Sequence, residues 1–165
     1  MANRRNVEDI VSANTLEDIQ ADSISAEFRT KDNKLSIWEI PDENIDLGVL
    51  AIALSSTKID TMDFLILKKD MLERAGLIVE KSKPSPNPLI QANNMRHDIS
   101  YLRMRDFARL ATVYKEAGLD ETHVFRYYKN DLTKKIKQAI YNGWINIDNG
   151  SKIIKEILNT FKYSS

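Results

Sequence analysis

The sequence predicts an α+β protein with a small mixed sheet followed by a group of helices. Apolar residues alternate at strand-like spacing before residue 83 and recur at helical spacing after residue 95. Three of the four prolines lie between these stretches, in residues 84–88. We therefore predict one domain over residues 1–165, which subdivides into a sheet-containing part, 1–83, and a helical part, 95–165.

The charge of the chain divides at the same place. Residues 1–83 contain 11 Lys and Arg against 16 Asp and Glu, a formal charge of −5. Residues 84–165 contain 13 Lys and Arg against 8 Asp and Glu, a formal charge of +5, so that the net charge is zero. The predicted sheet part is therefore acidic and the predicted helical part basic, which favours interaction with a charged partner.

The composition is that of a globular protein that needs no covalent staple. Apolar residues make up 42% of the 165 residues, charged residues 29%, and there is no cysteine. The lack of cysteine excludes disulfides, thiolate catalysis and cysteine-based metal sites. The longest apolar stretch, Leu47–Leu54, has 8 residues, whereas a bilayer span needs about 20. We expect a soluble, cytoplasmic protein without a signal peptide.

The first elements are short. Asn6 and Thr15 each precede an apolar-acidic phrase, Val7–Ile10 and Leu16–Ile19, with an acid three residues after the polar residue. This spacing is typical of a helix N-terminus and predicts two short helical turns.

A hairpin is expected next. Ile24–Arg29 alternates apolar and polar residues, and Leu35–Ile40 does so less regularly. The polar segment Lys31–Lys34 separates them and predicts a turn.

The remainder of the acidic part predicts two helices and two strands. Ile45–Leu54 suits a largely buried helix, and Asp63–Lys68 is a short apolar run that predicts a central strand. Asp70–Ala75 predicts a short helix closed by Gly76, and Leu77–Glu80 predicts an edge strand. The order is β-β-α-β-α-β, with about four strands.

About three helices are expected after the prolines. The first runs from His97 to Ala117 and is stopped by Gly118. The second follows an Asp120 cap and extends to Tyr141, and Asn149 caps the third. The inward-facing residues of the second and third helices recur every three or four positions: Phe125, Tyr128, Leu132, Ile136 and Ile140, then Ile153, Ile154, Ile157, Leu158 and Phe161.

No catalytic signature is complete. His97-Asp98 resembles part of a metal-phosphohydrolase site, but His123 is the only other histidine, and Asp98 is expected to lie in a first helical turn. A two-carboxylate nuclease site would need an acid on one strand and, on the next strand, an acid two residues before a lysine. Asp32-Asn33-Lys34 has this spacing only in a predicted turn and in the wrong order, and Lys68 follows Asp63 by five. Neither a nucleophile elbow nor a glycine-rich phosphate loop occurs. We therefore predict no metal and no cofactor.

The strongest positive feature is a basic face on the predicted helix 121–141. Its outward cations are Arg126, Lys129, Lys134 and Lys137, which would contact nucleic-acid phosphates or an acidic partner. Tyr127, Tyr141 and Trp144 would supply stacking faces. The alternative is a solvated lysine face with aromatic residues in the core.

A second basic group lies on the preceding helix. Arg103, Arg105 and Arg109 cannot all share one narrow helix face, so some are expected to pair with a local acid such as Asp106.

Three hypotheses about function follow. The first is a non-catalytic protein-binding protein, such as an immunity- or antitoxin-type inhibitor or regulator that blocks a partner protein. The second is a nucleic-acid-binding protein that uses the basic C-terminal helices. The third is an uncharacterised metal-dependent hydrolase or nuclease that uses Asp60, Asp63 or His97.

Overall fold

The computed structural model describes residues 30–40, 44–83, 87–149 and 152–162, together with seven positions before residue 30. The predicted α+β class is confirmed, since the described part contains five α-helices and five strands. The strands form two sheets, of three and two strands, instead of one sheet of about four. Three helices follow the proline-rich segment, as predicted, but a strand precedes each of the first two.

The secondary structure has the following bounds. The strands are β1 Leu35–Trp38, β2 Met62–Leu65, β3 Ile78–Lys81, β4 Arg96–Ser100 and β5 Val124–Tyr127. The helices are α1 Ile45–Ser55, α2 Lys69–Arg74, α3 Met104–Gly118, α4 Lys129–Tyr141 and α5 Lys152–Lys162. Short 3-10 turns occur at Ile90–Asn94, Glu121–His123 and Ile147–Asn149.

The chain forms two compact units, and neither is continuous in sequence. The first comprises residues 1–37, 63–81 and 97–126, and the second comprises 38–62, 82–96 and 127–165. Each unit therefore takes segments from both sides of the proline-rich segment, of which residues 84–86 lie outside the described part. The single-domain interpretation stays a prediction.

The first unit is built on the three-stranded sheet, in the order β1-β4-β3. β3 and β4 are antiparallel, with Val79 opposite Ile99 and Glu80 opposite Asp98. Because side chains alternate between the faces of a strand, Val79 and Ile99 share the face that packs in the core. The core also contains buried residues of α2, α3 and the preceding segments, namely Ile10, Phe28, Leu72, Leu77, Leu102, Leu110, Ala111, Val113 and Tyr114.

The structure describes only some of the residues for which helical turns and a first strand were predicted before residue 30. Thr15 and Asp18 form the expected cap, because the Thr15 N–H and hydroxyl both donate to the Asp18 carboxylate at 3.0 Å. Most of the predicted strand Ile24–Arg29 and of the turns around residues 7–19 lies outside the described residues. The turn Lys31–Lys34 is confirmed, with Asp32 and Asn33 at φ of 56° and 57°, values typical of a tight hairpin turn.

Three helices supply buried apolar residues in the second unit. α1 contacts α4 and the 3-10 turn Ile90–Asn94. The buried apolar residues of the second unit recur at helical spacing on α1, α4 and α5: Val49, Leu50, Ala53, Leu54, Leu132, Ile136, Ala139, Ile153, Ile154 and Ile157. The predicted inward positions Leu132, Ile136, Ile153, Ile154 and Ile157 are thereby confirmed.

A buried asparagine connects α1 with the segment after the prolines. The Asn87 amide nitrogen donates to the carbonyl of Ala51 at 3.0 Å and to the hydroxyl of Ser55 at 2.8 Å. Its amide oxygen accepts from the N–H of Leu89 at 2.9 Å. Asn87 is 6% exposed, so these bonds replace contacts with water that the groups would otherwise make.

The single predicted helix His97–Ala117 is wrong in its first part. Residues 96–100 form β4, and the helix begins only at Met104. Tyr101 has a φ of 59°, in the left-handed region, and this residue turns the chain from the strand into the helix. His97 and Asp98 therefore lie in a strand, where the Asp98 carboxylate accepts from the Ser36 hydroxyl at 2.9 Å.

The predicted helix from Asp120 to Tyr141 is also wrong in its first part. A 3-10 turn follows Asp120, and Val124–Tyr127 form β5, which pairs with β2. The Ile66 N–H donates to the carbonyl of His123 at 2.9 Å, which extends this pairing. α4 begins at Lys129, so Arg126 lies on a strand and not on the helix that carries the lysines.

The described helices include none with the length and apolar character needed to cross a membrane.

Candidate functional site

A cleft of about 270 Å³ opens in the first unit, where β4 passes into α3. Its walls come from the end of β4, the first two turns of α3 and the connection between α2 and β3. The β3–β4 pairing brings these segments together, because Ile78 lies opposite Ser100. The cleft thus joins residues that are separated by more than twenty positions in the sequence.

Three arginines, Arg103, Arg105 and Arg109, line the cleft against a single carboxylate, Asp106. Arg109 Nη1 donates to Asp106 Oδ1 at 3.1 Å, and Arg105 Nε lies 3.7 Å from the same oxygen. These contacts confirm the prediction that Asp106 pairs with neighbouring arginines. The lining side chains carry a formal charge of about +2, which favours an anionic ligand.

Asp106 is held in place by the start of the helix. Its Oδ2 accepts from the backbone N–H of Arg103 at 2.9 Å, as an acid in the first helical turn commonly does. Asp106 is buried, so its position is well determined by these bonds. The carboxylate therefore orients two arginines and caps the helix at the same time.

Gly76 forms part of the cleft wall beside Arg109. It closes α2 as predicted, with a φ of 70° and an N–H that donates to the carbonyl of Glu73 at 2.9 Å. A Cβ at this position would lie 3.6 Å from Arg109 Nη1. This is an ordinary van der Waals distance, so the left-handed backbone, and not a lack of space, accounts for glycine at this position.

Arg103 is the arginine most available to a ligand. Within the described residues its guanidinium makes no ion pair, in contrast to those of Arg105 and Arg109. It also lines a second, adjacent cleft of about 260 Å³, which the turn residues Asp32, Asn33 and Lys34 complete. The two clefts share Arg103 and Tyr101, so they adjoin each other.

Ser100 is a buried polar residue of the cleft lining without a hydrogen-bond partner. It is 3% exposed, and its hydroxyl makes no hydrogen bond within the described part of the protein. Most buried polar groups in native proteins are paired, so an exception requires an explanation. The oxygen of this hydroxyl exposes less than 1 Å², so it is enclosed by neighbouring atoms and not open to the cleft.

The rim of the cleft is apolar and exposed. Tyr101 and Ile78 line the cleft and are exposed, Tyr101 to 63%. Met104, the first residue of α3, is not part of the lining but is adjacent to it in sequence and is 83% exposed. Tyr, Met and Arg are residue types that protein interfaces contain more often than the rest of the surface does. The left-handed backbone of Tyr101 is unfavourable for an aromatic residue, and such strain is concentrated at functional sites.

The residues of the predicted hydrolase do not form a metal site. In the described part of the chain, no group of three His, Asp or Glu residues is placed to hold a metal ion. Asp60 is exposed and pairs with Lys58 at 2.8 Å, and the hydrogen bond from Lys58 lowers the pKa of its carboxyl. Asp63 is buried against Arg126, and His97 lies opposite Lys81 on β3.

The four predicted basic residues lie in different environments. Arg126 Nε and Nη2 donate to the two carboxylate oxygens of Asp63 at 2.8 and 2.9 Å, so its guanidinium is engaged within the first unit. Lys129, Lys134 and Lys137 lie on α4 in the second unit. Lys134 and Lys137 are three positions apart and share a helix face, and Lys129 is rotated away from them.

The predicted aromatic residues differ in accessibility. Tyr141 is 88% exposed and lies four positions after Lys137 on the same face of α4. Tyr127 is half-buried under Lys135, whose Nζ lies 5.3 Å from the ring centroid and 2.7 Å from Asp46 Oδ1. Burial raises the pKa of the Tyr127 phenol, and the Lys135 charge opposes this shift. Tyr141 is therefore far more accessible than Tyr127, and Trp144 is 38% exposed.

No family model matches this chain, and comparison with curated proteins and with solved structures found no match. The chemistry of the cleft is therefore the main guide to function.

Sequence reasoning identified the arginines but not the site that they line. Ser100, Tyr101 and Gly76 enter the cleft through the β3–β4 pairing and the turn before α3. A strand at 96–100 would have indicated this juxtaposition, but the apolar residues Ile99 and Leu102 also fit the period of the following helix.

Proposed function

We propose that this protein is a non-catalytic binding protein that recognises an acidic segment of a partner protein at the arginine-lined cleft. The observation that carries the proposal is the set of Arg103, Arg105 and Arg109 around one carboxylate, Asp106. Arginine forms directional, charge-assisted hydrogen bonds with carboxylate and phosphate groups.

The exposed apolar rim supports a protein as the partner. A small anion would use the charges alone, whereas Tyr101 and Met104 offer apolar contact area beside them. Arginine and tyrosine are frequent among the residues that dominate protein–protein binding energy. An immunity- or antitoxin-type inhibitor is one form of such a protein, because blocking a partner surface requires no catalytic group.

The first prediction concerns charge reversal in the cleft. Arg103→Glu combined with Arg105→Glu is expected to weaken partner binding at least thirtyfold, or about 2 kcal/mol, because attraction becomes repulsion. The measurement is affinity purification of the tagged, full-length protein from its host lysate, followed by mass spectrometry and titration of the recovered partner. Lys152→Glu with Lys155→Glu on the exposed surface of α5 makes the same change in net charge and serves as the control.

The proposal requires one protein that co-purifies stoichiometrically with the wild type and with the control. This protein should still be recovered after nuclease treatment, and it should be absent from the eluate of the cleft variant. Binding to the partner should also weaken as the ionic strength rises. Equal recovery by all three proteins would contradict recognition at the cleft.

A second candidate function is binding of single-stranded nucleic acid by α4. The observation that favours it is the common face of Lys134, Lys137 and the strongly exposed Tyr141. Lysines beside an accessible ring combine phosphate attraction with base stacking. Trp144, just after the helix, is also partly exposed.

This candidate makes a separate prediction. Tyr141→Ala is expected to weaken binding of a labelled oligonucleotide about tenfold through lost stacking. Lys134→Ala with Lys137→Ala should reduce the magnitude of the slope of log affinity against log salt concentration by about one to two, because two phosphate contacts are lost. Fluorescence anisotropy at several salt concentrations measures both effects, with Lys152→Ala and Lys155→Ala as the control. Oligonucleotide affinities that are the same for all variants would exclude α4 as the binding surface.

A further inference from the structure

We propose that an exposed apolar surface of the second unit binds an acidic, amphipathic segment of a partner protein. This surface, the Trp144 patch, consists of Ile90, Tyr141, Trp144 and Ile147, whose large apolar side chains are exposed. All four belong to the second unit, and none lines the arginine-lined cleft. The inference therefore goes beyond the function proposed for the cleft and does not depend on it.

Backbone pairing places Ile90 opposite Trp144. Leu89 and Ile145 form an antiparallel bridge, and the Ile90 N–H donates to the Trp144 carbonyl at 3.0 Å. Because side chains alternate between the two faces of a strand, the two bridge residues share one face, and Ile90 and Trp144 share the other. The bridge residues are buried, whereas Ile90 is 54% exposed and Trp144 is exposed as well. The pairing thus presents two neighbouring apolar side chains at the surface.

The end of α4 fixes the position of Trp144. Gly143 has a φ of 70°, and its N–H donates to the Ile140 carbonyl at 3.0 Å. The Trp144 N–H donates to the Ala139 carbonyl at 2.9 Å. These two bonds are those of a Schellman motif, which connects Trp144 to the last turn of α4. Tyr141, the last residue of α4, is exposed three positions before Trp144.

The size and composition of the patch suit a short peptide segment. Single exposed apolar residues are normal on protein surfaces, whereas contiguous ones mark interaction sites. Tryptophan and tyrosine are frequent among the residues that dominate protein–protein binding energy. Four side chains cover only part of the about 800 Å² that each partner contributes to a standard interface between folded proteins. Ile90 and Ile147 have no ring for base stacking, which favours a protein over a nucleic acid.

Charge complementarity specifies an acidic segment. Residues 132–155 contain five lysines and one acid, Asp148. Lys135 is already paired with an aspartate of α1, but Lys134 is exposed and lies seven positions before Tyr141, on the same face of α4. A second copy of the chain would bring lysines close to lysines, which is unfavourable. A segment with acidic residues beside its apolar ones would instead be attracted.

The first test uses two labelled helical peptides as probes of the full-length protein. Both carry leucines at helical spacing, and the remaining positions are glutamate in one and lysine in the other. Fluorescence anisotropy should show at least tenfold tighter binding of the glutamate peptide, because its charge is opposite to that of the lysines. Ile90→Glu is expected to weaken this binding at least tenfold, since it places a repelling charge within the patch.

Two matched controls accompany the patch variants. Leu119→Glu introduces the same charge at another exposed aliphatic residue, which belongs to the first unit, and should leave peptide binding unchanged. Tyr141→Ala should weaken binding about tenfold, whereas Tyr128→Ala, at an exposed ring before the first turn of α4, should not. Because Tyr141 is strongly exposed, its variant tests the patch even if Ile90→Glu fails to fold in urea denaturation.

Trp144 also reports contact directly. The protein has two tryptophans, Trp38 and Trp144. Tryptophan emission should move to shorter wavelength when the glutamate peptide covers the patch, and Trp144→Phe, which keeps Trp38, should abolish this shift. A shift that persists in Trp144→Phe would contradict binding at the patch.

The outcomes separate this inference from the alternatives. Equal binding of the glutamate peptide by the wild type, Ile90→Glu and Tyr141→Ala would overturn the inference. If Arg103→Glu with Arg105→Glu then abolishes that binding, recognition at the cleft still stands. Tighter binding of a single-stranded oligonucleotide than of the peptide would overturn the inference in favour of nucleic acid. Dimers in analytical ultracentrifugation that Ile90→Glu abolishes would overturn it in favour of a second copy of the chain.

Discussion

Replacement of Asn87 by aspartate is expected to lower the free energy of unfolding by about 3 kcal/mol at pH 8. The side chain keeps its shape, but an oxygen replaces the nitrogen that donates to Ala51 and Ser55. A carboxylate would thus face a backbone carbonyl at about the 3.0 Å of the present hydrogen bond. Both repulsion and burial of the charge oppose folding.

The loss should depend on pH in a defined direction. Burial is expected to raise the pKa of the new carboxyl above its unfolded value of about 3.9. The native state then binds a proton more tightly than the unfolded state does, so the variant regains stability as the pH falls through the raised pKa. Urea denaturation of the wild type and the variant at pH 8 and pH 5 measures this difference.

Asn93→Asp provides the control for Asn87→Asp. The Asn93 side-chain oxygen accepts from the N–H of Asn87 at 3.0 Å, and this bond would survive the change. Among the residues that the structure describes, the amide nitrogen of Asn93 makes a single long contact, 3.4 Å to the carbonyl of Ile90. We expect a loss below about 1 kcal/mol. Equal losses in both variants, without pH dependence, would show that the donor at Asn87 is unimportant.

Arg126→Ala is expected to lower the free energy of unfolding by about 3 kcal/mol. The Asp63 side chain is 11% exposed and would lose both guanidinium hydrogen bonds. Loss of two charge-assisted hydrogen bonds from a largely buried carboxylate is costly, because water cannot fully replace them. Urea denaturation at neutral pH measures the loss. Arg126→Lys retains the charge but not the two-point contact, so its free energy of unfolding should lie between those of the wild type and Arg126→Ala.

Two further variants test the mechanism of this loss. Arg74 pairs with Asp70 at 3.5 Å on the exposed side of α2, and Arg74→Ala should cost less than about 1 kcal/mol. Asp63→Ala combined with Arg126→Ala should cost less than the sum of the single changes, because neither charge is left alone. Strict additivity would mean that the two side chains stabilise the protein independently.

Local patterns predicted the elements whose periods are unambiguous. α1, β2, α2 and β3 lie within a few residues of their predicted bounds, since strong turn signals such as Gly76 separate them. The three C-terminal helices were also recognisable from buried residues every three or four positions.

β4 and β5 were missed for a common physical reason. Each is a short strand that directly precedes a helix, and its apolar residues continue the spacing of that helix. Ile99 and Leu102 precede the α3 pattern, and Phe125 and Tyr128 precede that of α4. The boundary before α3 depends on the left-handed backbone of Tyr101, which residue type does not reveal.

The candidate site was predictable only in part. Arg103, Arg105, Arg109 and Asp106 are close in sequence, so their pairing follows from helix geometry. Ser100 enters the lining of the cleft only through the pairing of β4 with β3. The expected effect of Arg126 on stability depends on its contact with Asp63, which lies 63 positions earlier in the sequence. Such long-range contacts are set by the tertiary fold and leave no local signal.

The discontinuity of the two units affects how deletions of this protein should be interpreted. The chain passes from one unit to the other five times, after residues 37, 62, 81, 96 and 126. A cut in the proline-rich segment would separate residues 63–81 from 97–126 and residues 38–62 from 127–165, and would thus divide both cores. A truncated chain that loses activity would therefore report the loss of a packed core, so point variants, not deletions, are the means to map function here.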